Sequence, residues 1–169
     1  MSIANRGWWT INVEKTTTWA DNWNEVIRTV LFPDDKLKTL LMIPTAEKND
    51  IMKFITEYFV KYPMTDEILG SHKVRVIYDD EQGQKMNIPQ AVKRILAFDI
   101  YVKSDVLHTA DNDRLKDRSI LIFERIRYLL TRQEVVCKMR FVCEDDYGLG
   151  AKTIGYRRYR GVFSYKKTY

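Results

Sequence analysis

The apolar positions of this chain repeat first at helical and then at strand spacing. Between residues 19 and 61 they recur three or four apart, and prolines cut the pattern into pieces. Trp19, Trp23, Val26, Ile27 and Val30 share one face of a helix over 19–32, with Thr18 as its N-cap. Pro33 stops it, because a proline pushes the residue before it out of the helical region. Asp34 caps a second, short helix over 35–42 with Leu37, Leu40 and Leu41 inward, and Pro44 closes it. A third helix over 48–61 carries Ile51, Phe54, Ile55, Tyr58 and Phe59 as its apolar face, and Pro63 ends it.

Beyond residue 70 the period falls to two, the mark of half-buried strands. Residues 73–79 put Val74, Val76 and Tyr78 on one face, and Asp79 to Gln84 reads as a turn. In the strand 94–103, Phe98, Ile100 and Val102 face one way and Asp99, Tyr101 and Lys103 the other. Helical spacing returns over 112–131, opened by Asp111 or Asp113, with Leu115, Ile122, Ile126 and Leu129 inward. A strand over 134–144 alternates Val135, Cys137, Met139, Phe141 and Cys143 against Glu134, Val136, Lys138, Arg140 and Val142, Glu144 to Gly150 reads as a loop, and 152–166 forms the last strand. This order predicts an α+β fold: a mostly antiparallel sheet of about four strands, a long flanking helix and an N-terminal helical region. One domain over 19–169 results, with a helical part at 19–63 and a sheet-and-helix core at 73–169. An arm at 1–18 precedes it. Trp9, Ile11 and Val13 alternate there, and the adjacent Trp8 and Trp9 either fold back on their own domain or pack on another subunit.

Charge sharpens the picture at the C-terminal end. The last nineteen residues hold six basic side chains and no acidic one, so residues 1–150 carry 22 basic against 23 acidic side chains. The net +5 is therefore a local feature. In Tyr156-Arg157-Arg158-Tyr159-Arg160, cations alternate with rings that could stack on bases or meet a protein surface. Strand alternation divides them: Tyr159, Phe163 and Tyr165 share a face with Arg157, and Arg158, Arg160 and Lys166 take the other. The first face has the makings of core, and arginines on the second can guard a sheet edge.

No constellation of residues points to catalysis. The two histidines, His72 and His108, lack metal-ligand spacing, and there is no Cys-x-x-Cys pair. A metal nuclease would have to recruit Asp79, Asp80, Asp99 and Lys103, and the Glu-x-Lys element of such cores is missing. Cys137 and Cys143, six apart on one extended strand, stand roughly 20 Å from each other, too far to bridge. Gly148-x-Gly150 follows two aspartates that would repel a phosphate. No apolar run reaches membrane length and the N-terminus lacks a signal-peptide core, so a protein made in the cytoplasm, without catalytic residues, cofactor or metal, is expected.

One succession of segments resembles a known family. Phe98 to Lys103, a helix running from Asp113-Arg114-Leu115 to Leu130, Met139-Arg140-Phe141, the acidic Asp145-Asp146-Tyr147-Gly148 and the closing Arg160 to Tyr165 are similar in order and texture to tail-terminator and neck proteins of tailed bacteriophages. The resemblance covers residues 73–167; the N-terminal helical region departs from the smallest members. It implies a virion protein of the tail or neck that forms a closed ring, commonly a hexamer. Such a ring caps the tail tube and joins it to the head beside tube, sheath or connector proteins, with DNA in its channel, no cofactor and no membrane. A ring subunit needs two unlike, complementary surfaces. The interface residues expected on that basis are Trp8, Trp9, Arg157, Arg158, Tyr159 and Arg160, with the acidic segment 79–81 or 144–146, Asp145 and Asp146 in the latter, as charge partner. The rival reading is a small nucleic-acid-binding module that uses the basic, aromatic last strand.

Overall fold

A computed structural model describes residues 19–61, 72–81, 94–111, 113–134, 136–149 and 155–167. The arm with Trp8 and Trp9, the N-cap at Thr18 and the stop at Pro63 lie outside the described residues. Helix α1 (Trp19–Val26) runs on through a wider π-type turn, Ile27–Leu31, as its apolar face predicts. Asp34 caps α2 (Asp35–Leu40): its Oδ1 accepts the Leu37 N–H at 2.7 Å, filling one of the orphan donors at the helix start. The same carboxylate receives two hydrogen bonds from Arg125, at 3.0 and 2.5 Å. Burial works to raise the Asp34 pKa, and the bonds from Arg125 and the Leu37 N–H outweigh it and lower it.

The third helix is shorter than its apolar pattern predicts. Asp50 caps α3 (Ile51–Lys53), which widens into a π-type turn, Phe54–Tyr58. Phe59–Lys61 then leaves the helix as strand β1 and pairs in parallel with Val76–Tyr78. Pairing along a sheet edge has overridden the helical period: Phe59 is fully buried and bonds to the sheet as a strand.

The main sheet has five strands in the order β1-β2-β3-β7-β6, with β2 (Val74–Glu81), β3 (Arg94–Lys103), β6 (Met139–Leu149) and β7 (Tyr156–Lys167). Among the described residues only the β1–β2 pair of this sheet is parallel. The α+β class and the mostly antiparallel sheet follow the expectation, and β1 is the strand beyond the expected four. Between β3 and the long helix, β4 (His108–Asp111) and β5 (Arg114–Asp117) form a separate hairpin. The long helix, α4, therefore spans Arg118–Thr131, and Asp117, not Asp111 or Asp113, is its N-cap, accepting the Ser119 N–H at 2.8 Å. Leu115, expected on the inner face of this helix, stands on the hairpin with 73% of its surface exposed.

The strand expected over 134–144 is displaced as well. Cys137 and Lys138 take positive φ (48° and 60°) in a tight turn that bonds Val136 to Met139. β6 starts only at Met139 and runs on through Glu144-Asp145-Asp146, which reads as loop in the sequence, with a bulge between Cys143 and Asp145.

All the helices described pack on one face of the sheet. Phe98, fully buried, has the rings of Trp23, Phe59 and Phe163 at 6.0, 5.8 and 5.5 Å between centroids. Phe123 of α4 lies against Tyr159 and Phe163 of β7. Each such ring contributes about 1.5–3 kcal/mol by leaving water. Among the described residues no helix is long and apolar enough to cross a membrane.

Candidate functional site: the charged face of the sheet

Because side chains alternate across a strand, the face turned away from the helices collects Asp99 and Tyr101 from β3 and Arg158 and Arg160 from β7. Antiparallel register sets Asp99 opposite Arg160 and Tyr101 opposite Arg158. Arg160 grips Asp99 with two parallel bonds, Nε to Oδ1 and Nη2 to Oδ2, both 2.7 Å. Arg158 Nη2 adds a third at 2.7 Å to Oδ2. The fork-on-carboxylate geometry is the strongest form of this pair. Burial works to raise the Asp99 pKa, and the Arg160 and Arg158 guanidiniums outweigh it and hold the carboxyl below its ordinary value. In return the Asp99 bond raises the Arg160 pKa.

The cluster is nearly dry. Side-chain exposures are 15% for Asp99, 13% for Arg158 and 28% for Arg160. One carboxylate faces two guanidiniums, so a positive charge of one remains. The Arg158 guanidinium also lies 5.7 Å from the Tyr101 ring centroid, within cation–π range. Tyr147 of β6 pairs with Arg160 across the next strand boundary.

The remaining expected interface residues point elsewhere. Arg157 sits on the helix-side face, half exposed and 4.0 Å from the Asp117 carboxylate. Its guanidinium lies over Gly148, where an added Cβ would come within 2.8 Å of Nη2. Tyr159 is buried, and its hydroxyl donates to Asp146. Burial, then that bond, push the phenol up to about 12. Asp145 is exposed, and its Oδ1 accepts the Asp146 N–H at 2.8 Å. Glu144 accepts the Ser164 hydroxyl. The structure thus brings Arg158 and Arg160 together, joins Tyr159 to Asp146, and leaves Arg157 and Asp145 apart from both groups.

Asp99 was missed by sequence reasoning as the hub of this face. The only signal available was its place on the polar side of β3, as Arg158 and Arg160 are on that of β7. As a metal ligand it would have to give up three guanidinium bonds. Among the described residues no group of three or more His, Cys, Asp or Glu side chains gathers to hold a metal ion. Searches against protein-family models and against curated proteins find no match for the chain.

Proposed function

We propose that this protein is a structural ring subunit of a tailed-phage neck or tail terminator, built to meet neighbours rather than to transform a small molecule. One observation carries this reading. β6 is an eleven-residue strand with a described neighbour on one side only, and its outer residues include exposed Val142 and Tyr147 and the acidic Asp145. Natural sheets shorten, cover or block their edges; β6 carries a bulge and acidic residues, yet its length and its exposed Val142 and Tyr147 suit contact with another chain. The order of segments that resembles the phage family supports the choice of ring over other assemblies.

The nucleic-acid reading draws less support. Two of the three arginines in the last strand are held by Asp99, and Tyr159, Phe163 and Tyr165 are core. Arg157 and Lys166 are the exposed cations among the described side chains of that strand. Light scattering of the purified protein, with negative-stain electron microscopy, tests the ring: closed particles of several copies are expected, and a strict monomer at high concentration would count against it. Fluorescence anisotropy with labelled duplex DNA tests the rival. Tight binding that falls steeply with salt and is lost in Arg157→Ala/Lys166→Ala would favour nucleic acid.

A further inference from the structure

Helix α2, strand β4 and the start of α4 line a half-open hollow of about 360 Å³. Arg118 stands in its wall with Lys36, Thr39, Leu40 and Thr109, and Asp35 is the one acid among the described residues that line it. Among the described residues the Arg118 guanidinium donates only to backbone carbonyls, Nε to Val106 at 2.9 Å and Nη1 to Leu40 at 3.2 Å. A guanidinium carries five N–H donors, so three remain. Among the described residues no carboxylate pairs with it, and burial lowers its pKa. Lys36 is exposed at the same wall. A half-buried cation with unused donors in a partly apolar hollow fits an oxyanion.

The complementary group is on the same chain. In the acidic run of β6, Asp146 receives the Tyr159 hydroxyl and Glu144 that of Ser164. Asp145 is exposed, and its carboxylate takes only the Asp146 N–H, with no cation among the described residues. We propose that the hollow of one copy receives the Asp145 carboxylate, with the adjoining acidic stretch of β6, from a second copy of this chain. The inference rests on the ring reading and names its contact. Hollow and acidic strand belong to different elements, so each copy can give its strand to one neighbour and its hollow to the other, the head-to-tail contact a closed ring requires.

Arg118 also ties α2 to the segment before the hairpin through its two carbonyl bonds, so replacing it could unsettle the fold. Lys36 makes no such bond and is the better position to test. Sedimentation velocity on the full chain would follow self-association in wild type, Lys36→Glu, Asp145→Lys and the two combined. Each single reversal should weaken association roughly tenfold, and the combined reversal should restore it. Wild-type assembly that neither single change weakens would overturn the contact and leave the ring standing. Weakening without recovery in the combined variant would overturn the pairing of these two sites. A wild type that stays monomeric throughout would overturn both readings.

Discussion

Asp99 shows what one side chain decides. Its carboxylate is shared by two guanidiniums in a nearly dry setting, so removing it strands two cations beside each other. Breaking a buried ion pair costs several kcal/mol, and the partial exposure of Arg160 reduces the figure here. Asp99→Asn, which keeps the shape and loses the charge, should destabilise the protein by about 2 kcal/mol in urea denaturation at neutral pH. The sign with pH follows from the lowered folded pKa. This contribution is full above the unfolded-chain value of about 3.9 and is lost as pH falls through the lower folded value. Wild type should therefore lose its advantage over Asp99→Asn as urea midpoints are followed from pH 5 down to pH 2. The faces of these residues were legible in the alternation of 94–103 and 156–166, but their meeting was not. Register between strands some sixty residues apart is set by the packed core, and local spacing carries no record of it.

At the scale of elements, the strand 94–103 appears with the bounds its alternation predicts, because burial on one face repeats without interruption. The start of α4 was misread for a physical reason. Leu115 fits the inner face of a helix and Arg114, Lys116 and Asp117 its polar face as well as they fit a hairpin, and Asp113, at φ 63°, turns the chain into the hairpin instead. β6 was cut short because acidic residues and a glycine look like a turn, and its bulge shifts the alternation by one residue. The contact of α4 with β7 has its own test. A Cβ built on Gly161 would lie 2.1 Å from Cε2 of Phe123, so the strand can approach the helix only without a side chain there. Gly161→Ala should cost about 1–3 kcal/mol, read as a lower urea midpoint, and Phe123→Leu in the same chain should recover part of the loss. A Gly161→Ala protein as stable as wild type would mean that the helix shifts freely.

For the molecule as a whole, topology matters more than any single contact. The class, the antiparallel sheet and the N-terminal helical region were legible because each depends on local period. The strand order was not, and it places β7 between β3 and β6, with partners from both halves of the sheet region. β7 also supplies Tyr159, Phe163 and Tyr165 to the core. A chain cut after residue 155 should thus lose the middle of its sheet, not a trimming from its rim. The expected outcome is a product without a cooperative thermal transition by circular dichroism. A truncated chain that still melted sharply would show that the rest closes without β7.

That arrangement has a bearing on how the protein comes into being. In chain order the elements from α1 to β6 precede the segment that slots between two of them, so without β7 the facing edges of β3 and β6 have no partner and Phe123 of α4 lacks the rings of Tyr159 and Phe163. The nascent polypeptide cannot reach its native state one piece at a time. The native sheet therefore closes only after β7 has been made.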